Sequence, residues 1–269
     1  VNVFVFDIET IPDIAGARRL WSLDETLDDD GVVDLMTAKR LQETSGSSDF
    51  LRSHMHRIVA ISAVFREGDR FNVWSLGEES SDEAELVRRF FEGVERYTPT
   101  LVSWNGGGFD LPVLHYRALL HGIAAPRYWD TGDDDRSFRY NNYLGRFHWR
   151  HIDLMDVLAG YQARAYAPLD QLATLMGLPG KLGMSGAKVW DAFRAGQIGA
   201  IRDYCETDVL NTWLLYLRFQ HLRGHLSDPE LLSEMLRVRE FLAAAPQPHF
   251  QAFLQAWESA PAPEEPAAG

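Results

Sequence analysis

Val1-Asn2-Val3-Phe4-Val5-Phe6-Asp7-Ile8-Glu9-Thr10 is the stretch around which the chain is organised. Val3 to Phe6 is β-branched and aromatic with no polar break, which predicts a strand buried on both faces. Asp7 and Glu9 follow, two residues apart, at its expected end. Side chains alternate along a strand, so both carboxylates project from the face that carries Val1, Val3 and Val5. Two acids at the mouth of a hydrophobic strand repel each other and resist desolvation, and are costly there without a cation. The plainer alternative is that the strand ends and both acids are solvated.

With 269 residues, 46% of them hydrophobic, the chain has enough material for a large core, as one domain with embellishments or as two small ones. A net charge of −13 argues against a protein that coats nucleic acid, but not against an acidic enzyme site beside a local basic groove. The single cysteine, Cys205, excludes an intramolecular disulfide framework and a cysteine-based zinc cluster. Together with the lack of a bilayer-spanning apolar run or a basic leader, it predicts a cytoplasmic protein with no membrane association.

Outward from the first strand, residues 13–55 read as an insertion, with helical pieces at 14–21 and 33–43 and a solvated acidic cluster at Asp24–Asp34. Ile58–Phe65 and Arg70–Leu76 are predicted strands forming a hairpin through Glu67-Gly68-Asp69. Ser80-x-x-Glu83 reads as a capping box for a helix with an apolar stripe Leu86, Val87, Phe90, Phe91, Val94. Thr100–Trp104 is a fourth strand, turned by Asn105-Gly106-Gly107-Gly108-Phe109-Asp110 into a helix over 111–121 with Asp110 as its expected N-cap. Ile152–Met155 is a fifth strand, and helices follow at 168–176, 188–193, 198–222, 228–245 and 250–258. The order of elements predicts an α/β fold, a mixed five-stranded sheet flanked by helices. The expected division is a main domain over 1–225, a C-terminal helical extension over 226–259 and a disordered tail over 260–269.

Two further acidic stations stand out. A strand-to-helix crossover puts Asp110 at the carboxyl end of its strand, the edge of an α/β sheet where sites are usually built. If that strand lies parallel to and beside the first, Asp110 shares an edge with Asp7 and Glu9. In Tyr204-Cys205-Glu206-Thr207-Asp208, Tyr204 and Asp208 are one helical turn apart on one face, which Val209, Trp213 and Tyr216 mark as inward-pointing. A structural N-cap at Asp110 and a buried Tyr–Asp hydrogen bond are the competing readings. Cys205 reads as packing, since no histidine adjoins it.

Phe6-Asp7-Ile8-Glu9-Thr10, Asn105-Gly106-x-x-Phe109-Asp110-x-Pro112 and Tyr204-x-x-x-Asp208 together resemble the three motifs of the DEDD superfamily of exonucleases, above all its tyrosine-containing branch and the proofreading domain of family B DNA polymerases. The likeness runs over about residues 1–220. The histidine-containing branch would place His at position 203, which here is Asp203. The resemblance implies a ribonuclease H-like fold and two divalent ions, Mg²⁺ or Mn²⁺, held by Asp7, Glu9, Asp110 and Asp208. It also implies hydrolysis from the 3′ end of single-stranded DNA or RNA, DNA favoured, with Thr10, Asn105 and Phe109 on the substrate. Carboxylate oxygens suit such ions, and a pair of them can stabilise the attacking and leaving oxygens at phosphorus. Tyr204, with an ordinary pKa near ~10, is better cast as orienting the attacking water than as a strong base. Only 61 residues follow Asp208, so a free-standing exonuclease is expected, with room for association with a polymerase or repair complex. An RNA-trimming enzyme and a catalytically silent binding module are the alternatives.

Residues 136–151 carry four arginines, two histidines and five aromatics with no acid. Guanidinium groups suit phosphates and aromatic faces suit unstacked bases, so Arg139, Arg146 and Arg150 are expected to contact substrate. Otherwise the aromatics pack beneath the loop while the arginines pair with Asp133, Asp134 and Asp135.

Overall fold

The computed structural model describes residues 2–261, so most of the expected tail, from position 262 onward, lies outside the described residues. The first strand, β1 (Val3–Pro12), does not stop at the acids. The insertion follows as α1 (Ile14–Trp21) and α2 (Asp29–Glu43), and the hairpin as β2 (His56–Glu67) and β3 (Arg70–Ser75). Next come α3 (Glu83–Tyr97), β4 (Thr100–Ser103), α4 (Asp110–His121), α5 (Pro126–Trp129) and β5 (His151–Asp153). The remainder is helical: α6 (Leu154–Leu158), α7 (Leu169–Leu175), α8 (Val189–Arg194), α9 (Ile198–Leu222), α10 (Asp228–Ala244) and α11 (Pro248–Ser259).

The expected mixed five-stranded sheet is present, in the order β3-β2-β1-β4-β5. β1 pairs antiparallel with β2 and parallel with β4, and β5 is parallel to β4. β1 exceeds its apolar run because β2 supplies a partner all the way to Pro12↔His56, with a register shift between Glu9 and Thr10 that skips Val59. On the other side the β4 pairing ends at Val5↔Val102. Beyond Val5 that edge of β1 is therefore open, and there the two acids stand.

Alternation along β1 divides the core into two layers. Phe4, Phe6 and Ile8 pack with Leu86, Val87, Phe90 and Phe91 of α3 and with Leu111 and Leu114 of α4. Val3 and Val5 pack with Val209, Leu210, Trp213 and Leu214 of α9. The opposite side of α9 is covered by α10 and α11, whose Val238, Leu242, Phe250, Phe253 and Trp257 join the same core. Every residue from Tyr204 to Leu217 is consequently buried, not one inward face alone. None of the described helices is long and apolar enough to cross a membrane.

Two caps differ from expectation. Asp82, not Ser80, caps α3, accepting from Glu85 N at 2.8 Å. This turns Glu83 inward, where it accepts from Arg117 Nε at 2.7 Å and from Ile58 N at 2.6 Å. Asp110 is the first residue of α4 rather than its cap, which is Phe109. In the insertion, α2 begins four residues before its expected start, with Asp28 as N-cap and Asp29 and Asp30 in the first turn, where acids oppose the helix dipole. These acids are thus structural as well as solvated.

Arg117, 5% exposed, holds Asp13 at the root of the insertion and Glu83 of α3 together. Removing one member of a buried ion network strands the others without a countercharge. Arg117→Met should therefore lower unfolding stability by about 3–5 kcal/mol. Urea denaturation is the measurement, and a loss below about 1 kcal/mol would show that the two carboxylates find other partners.

Candidate active site

Four acids from three distant stretches meet where β1 and β4 part. Asp7 and Glu9 come from β1, Asp110 from the first turn of α4, and Asp208 from α9, one turn beyond Tyr204. Glu9, Asp110 and Asp208 are only 7%, 4% and 7% exposed, while Asp7 keeps a partial opening. The open edge of β1 has a direct use here: Ile8 N, with no β4 partner, donates to Asp110 Oδ1 at 3.2 Å.

The backbone entering α4 is shaped for this meeting. Asn105 adopts a left-handed conformation at φ 65°, which a short polar side chain tolerates, and its carbonyl accepts from Gly108 N and Phe109 N, both at 3.0 Å. At Gly106 a Cβ would collide with the Ser103 hydroxyl, so only glycine fits. Asp153, at the end of β5, accepts from Asn105 N and Gly107 N, both at 2.9 Å, and clamps the turn. The sequence reading missed Asp153, although an acid closing the fifth strand satisfies the same edge argument that singled out Asp110.

Crowding governs the electrostatics. Burial first, then Asp110, Glu9 and Asp208, holds the Asp7 carboxyl well above the usual carboxylate range. Glu9 is raised likewise by burial and then by Asp208 and Asp110, with Lys181 pulling the other way. Burial pushes Asp110 up to about 7 and Asp208 up to about 6, the latter eased by the Tyr204 hydroxyl and Lys181. Burial and the adjoining acids drive the Tyr204 phenol upward. Lys181, 5.9 Å from the Tyr204 ring centre, is the only cation in the glycine-rich connector 177–186, a signal the sequence reading passed over. Cys205 faces the same cluster, its Sγ 3.5 Å from Asp7 O and 3.6 Å from Asp7 Oδ2.

A hard divalent cation fits this donor set. Oδ1 of Asp208 is buried without a hydrogen-bond partner, and a buried, unsatisfied carboxylate oxygen among three other acids calls for positive charge. Among the described residues, Asp7 and Glu9 also belong to one of two clusters whose ligand atoms are close enough to share an ion.

The expected substrate residues divide. Thr10 Oγ1 lies 2.8 Å from His56 Nδ1, and Phe109 packs against His56 and Phe50 with ring centres 4.9 and 5.2 Å apart. Phe50 is 56% exposed, so an aromatic ledge borders Thr10; its sequence signal, a lone aromatic in a polar stretch, was not used. Asn105 lines a cleft of about 380 Å³ with Gly107, Gly108, Arg146, Trp149 and Tyr166, beneath the 136–151 loop. Within that loop Phe138 and Tyr143 are core residues, while Tyr140, Phe147 and Trp149 are exposed. Arg146 is engaged by Asp156 through two 2.7 Å bonds, and Arg150 by Asn141 O and Ser137 Oγ. Arg139 is exposed and has no ion pair among the described residues. Among the described residues Asp133 and Asp134 pair with none of the loop arginines, and Asp135 pairs with Arg127.

Comparison with known proteins bears on this arrangement. Residues 48–257 match the family model described as a predicted 3′–5′ exonuclease related to the exonuclease domain of PolB; the match takes in Asp110, Tyr204 and Asp208 and leaves β1 outside. The catalytic subunit of DNA polymerase epsilon from Saccharomyces cerevisiae is 26% identical over 148 residues, 52% of this chain and 6% of the polymerase. DNA polymerase 1 of Sulfurisphaera ohwakuensis is 32% identical over 121 residues, 42% of this chain and 12% of its own. The family B DNA polymerase structure from the archaeon Pyrobaculum calidifontis aligns with 97% of this chain and 27% of its own, at 17% identity and a TM-score of 0.46. The chain thus spans a small part of the polymerases it matches. It belongs to the family of predicted 3′–5′ exonucleases related to the exonuclease domain of PolB.

Proposed function

We propose that the protein hydrolyses single-stranded nucleic acid from the 3′ end, DNA ahead of RNA, with Asp7, Glu9, Asp110 and Asp208 holding two divalent ions, Mg²⁺ or Mn²⁺. The observation that carries this reading is the convergence of four carboxylates at one sheet edge, three of them buried and one with an unpartnered oxygen. Such ions, when bound, supply Lewis-acid charge for both oxygens of an in-line displacement at phosphorus. Everything else is done by the chain. Tyr204, whose phenol is held protonated by burial and the neighbouring acids, orients the attacking water with its hydroxyl. Lys181 tempers the negative field at Glu9 and Asp208 and stands ready for a substrate phosphate. The Phe50–Phe109–His56 ledge stacks the terminal base, and the strand continues towards the cleft below the 136–151 loop.

The direct test incubates 5′-labelled DNA and RNA with Mg²⁺ or Mn²⁺. A ladder shortening from the 3′ end is expected, absent in Asp7→Ala, and slowed roughly 10- to 1,000-fold in Tyr204→Phe. Full-rate hydrolysis by Asp7→Ala would sink the assignment, and full-rate hydrolysis by Tyr204→Phe would leave Tyr204 a core residue.

The raised carboxyls also make stability depend on pH and metal. A carboxyl whose pKa is higher folded than unfolded binds more protons in the folded state, so its contribution falls as pH rises. For this cluster the window runs from the ordinary carboxylate range, about 4, up to the values of about 6 and 7 at Asp208 and Asp110. Metal-free protein should therefore lose thermal stability between about pH 5 and 8. Mg²⁺ or Mn²⁺ should restore it at pH 8 and do little at pH 5, in scanning calorimetry. Asp208→Asn should flatten both responses, and a wild-type Tm indifferent to the ions at pH 8 would speak against the cluster as their site.

The division among the loop arginines sets separate outcomes. Arg139→Gln should weaken strand binding and flatten its salt dependence by roughly 0.7 slope units. Arg146→Gln should chiefly loosen the loop, since it releases Asp156. Equal salt slopes in wild type and Arg139→Gln would place the phosphate contacts elsewhere.

A further inference from the structure

Cys205 is the one soft donor in a site otherwise built of oxygen. It is fully buried, and its sulfur faces β1, against both the backbone and the carboxylate of Asp7. The ligand atoms of Asp7, Glu9 and Cys205 all lie within 4.8 Å of one another. A tetrahedral zinc site with Zn–S of about 2.3 Å and Zn–O of about 2.0–2.2 Å has a sulfur–oxygen edge of about 3.5–3.7 Å. The 3.6 Å between Cys205 Sγ and Asp7 Oδ2 matches that edge. Independently of the thiol, the buried and unpartnered Asp208 Oδ1 belongs to the same acidic cluster and asks for a cation.

We infer that Cys205, Asp7 and Glu9 form a mixed thiolate–carboxylate site that captures thiophilic divalent ions, Zn²⁺ or Cd²⁺, in competition with the Mg²⁺ or Mn²⁺ of the proposed reaction. On capture the thiol proton passes to solvent and a metal–sulfur bond replaces the S–H···O contact; no redox change is involved. Mg²⁺ binds oxygen and does not engage sulfur, so the thiol discriminates between the two classes of ion. A captured ion draws Asp7 and Glu9 towards α9 and denies them to the hard ions. The inhibitory consequence rests on the proposed exonuclease reading; the capture itself does not.

Cys205 is the only cysteine in the chain, so a cadmium–sulfur charge-transfer band in the ultraviolet reports on this site alone. Titration of the metal-free protein with Cd²⁺ should produce that band at one equivalent, still present in excess Mg²⁺. Asp7→Asn should weaken Cd²⁺ binding about 10-fold or more, and Cys205→Ser should abolish the band and lower the ratio of Cd²⁺ to Mg²⁺ affinity by at least as much. Circular dichroism separates loss of fold from loss of ligand in the variants, and the wild-type titration needs neither. Calorimetric Cd²⁺ binding without a band, or a band whose affinity ignores Asp7→Asn, overturns the inference. A band in a protein that hydrolyses no strand keeps the inference and removes the exonuclease reading; hydrolysis without a band does the reverse.

Discussion

Mutual repulsion among four clustered carboxylates, three of them buried, is the constraint on which the rest of this structure depends. Bringing Asp7, Glu9, Asp110 and Asp208 together without countercharge is unfavourable, as the upward shift of all four carboxyls records. Such a cluster persists only where its surroundings over-determine it. β1 is held by β2 well past the acids, so neither Asp7 nor Glu9 can swing into solvent with a fraying strand end. Asp110 is fixed by the free Ile8 amide and by a turn that Asp153 clamps from below. The open edge of β1 that admits Asp110 exists only because β4 is short.

The fourth acid is held by helix burial. α9 is wedged between the sheet and the C-terminal helices α10 and α11, and it is tied on both sides. Glu206 accepts from Ser75 of β3 at 2.7 Å and lies 2.8 Å from His249 of α11. Arg66 of β2 reaches Glu234 of α10 across the same face. The helices beyond position 225 therefore cover the helix that carries Tyr204 and Asp208, and share its core. Their packing fixes the pitch of the two residues on which the proposed chemistry turns.

An acidic protein that handles a polyanion has to ration its cations. Here most arginines near the cleft are already committed: Arg146 to Asp156, Arg127 to Asp130 and Asp135, Arg150 to the loop backbone and the Phe138 ring. Fixed guanidinium groups shape the cleft, and in the proposed reading exposed ones such as Arg139 are those left for phosphates. Aromatic surface at Phe50, Phe109, Trp149 and Tyr140 complements that small positive complement, because stacking does not depend on net charge.

The sequence by itself determined the succession of strands and helices, the hairpin of the second and third strands, the mixed five-stranded sheet and the three acidic stations. Each rests on local periodicity: alternation puts Asp7 and Glu9 on one face, and a four-residue step puts Tyr204 and Asp208 on one side of a helix. The limits of β1, the inward turn of Glu83 and the place of Asp110 inside α4 rather than at its cap were not legible, because each depends on a partner distant in the chain: β2, Arg117 and Ile8 respectively. Lys181, Phe50 and Asp153 each carry a local signal, but only the fold shows that all three are brought to the acids. Cys205 is the sharpest case. In sequence it is a lone thiol on a packed helix, and only the docking of α9 across β1 sets its sulfur against the carboxylate of Asp7.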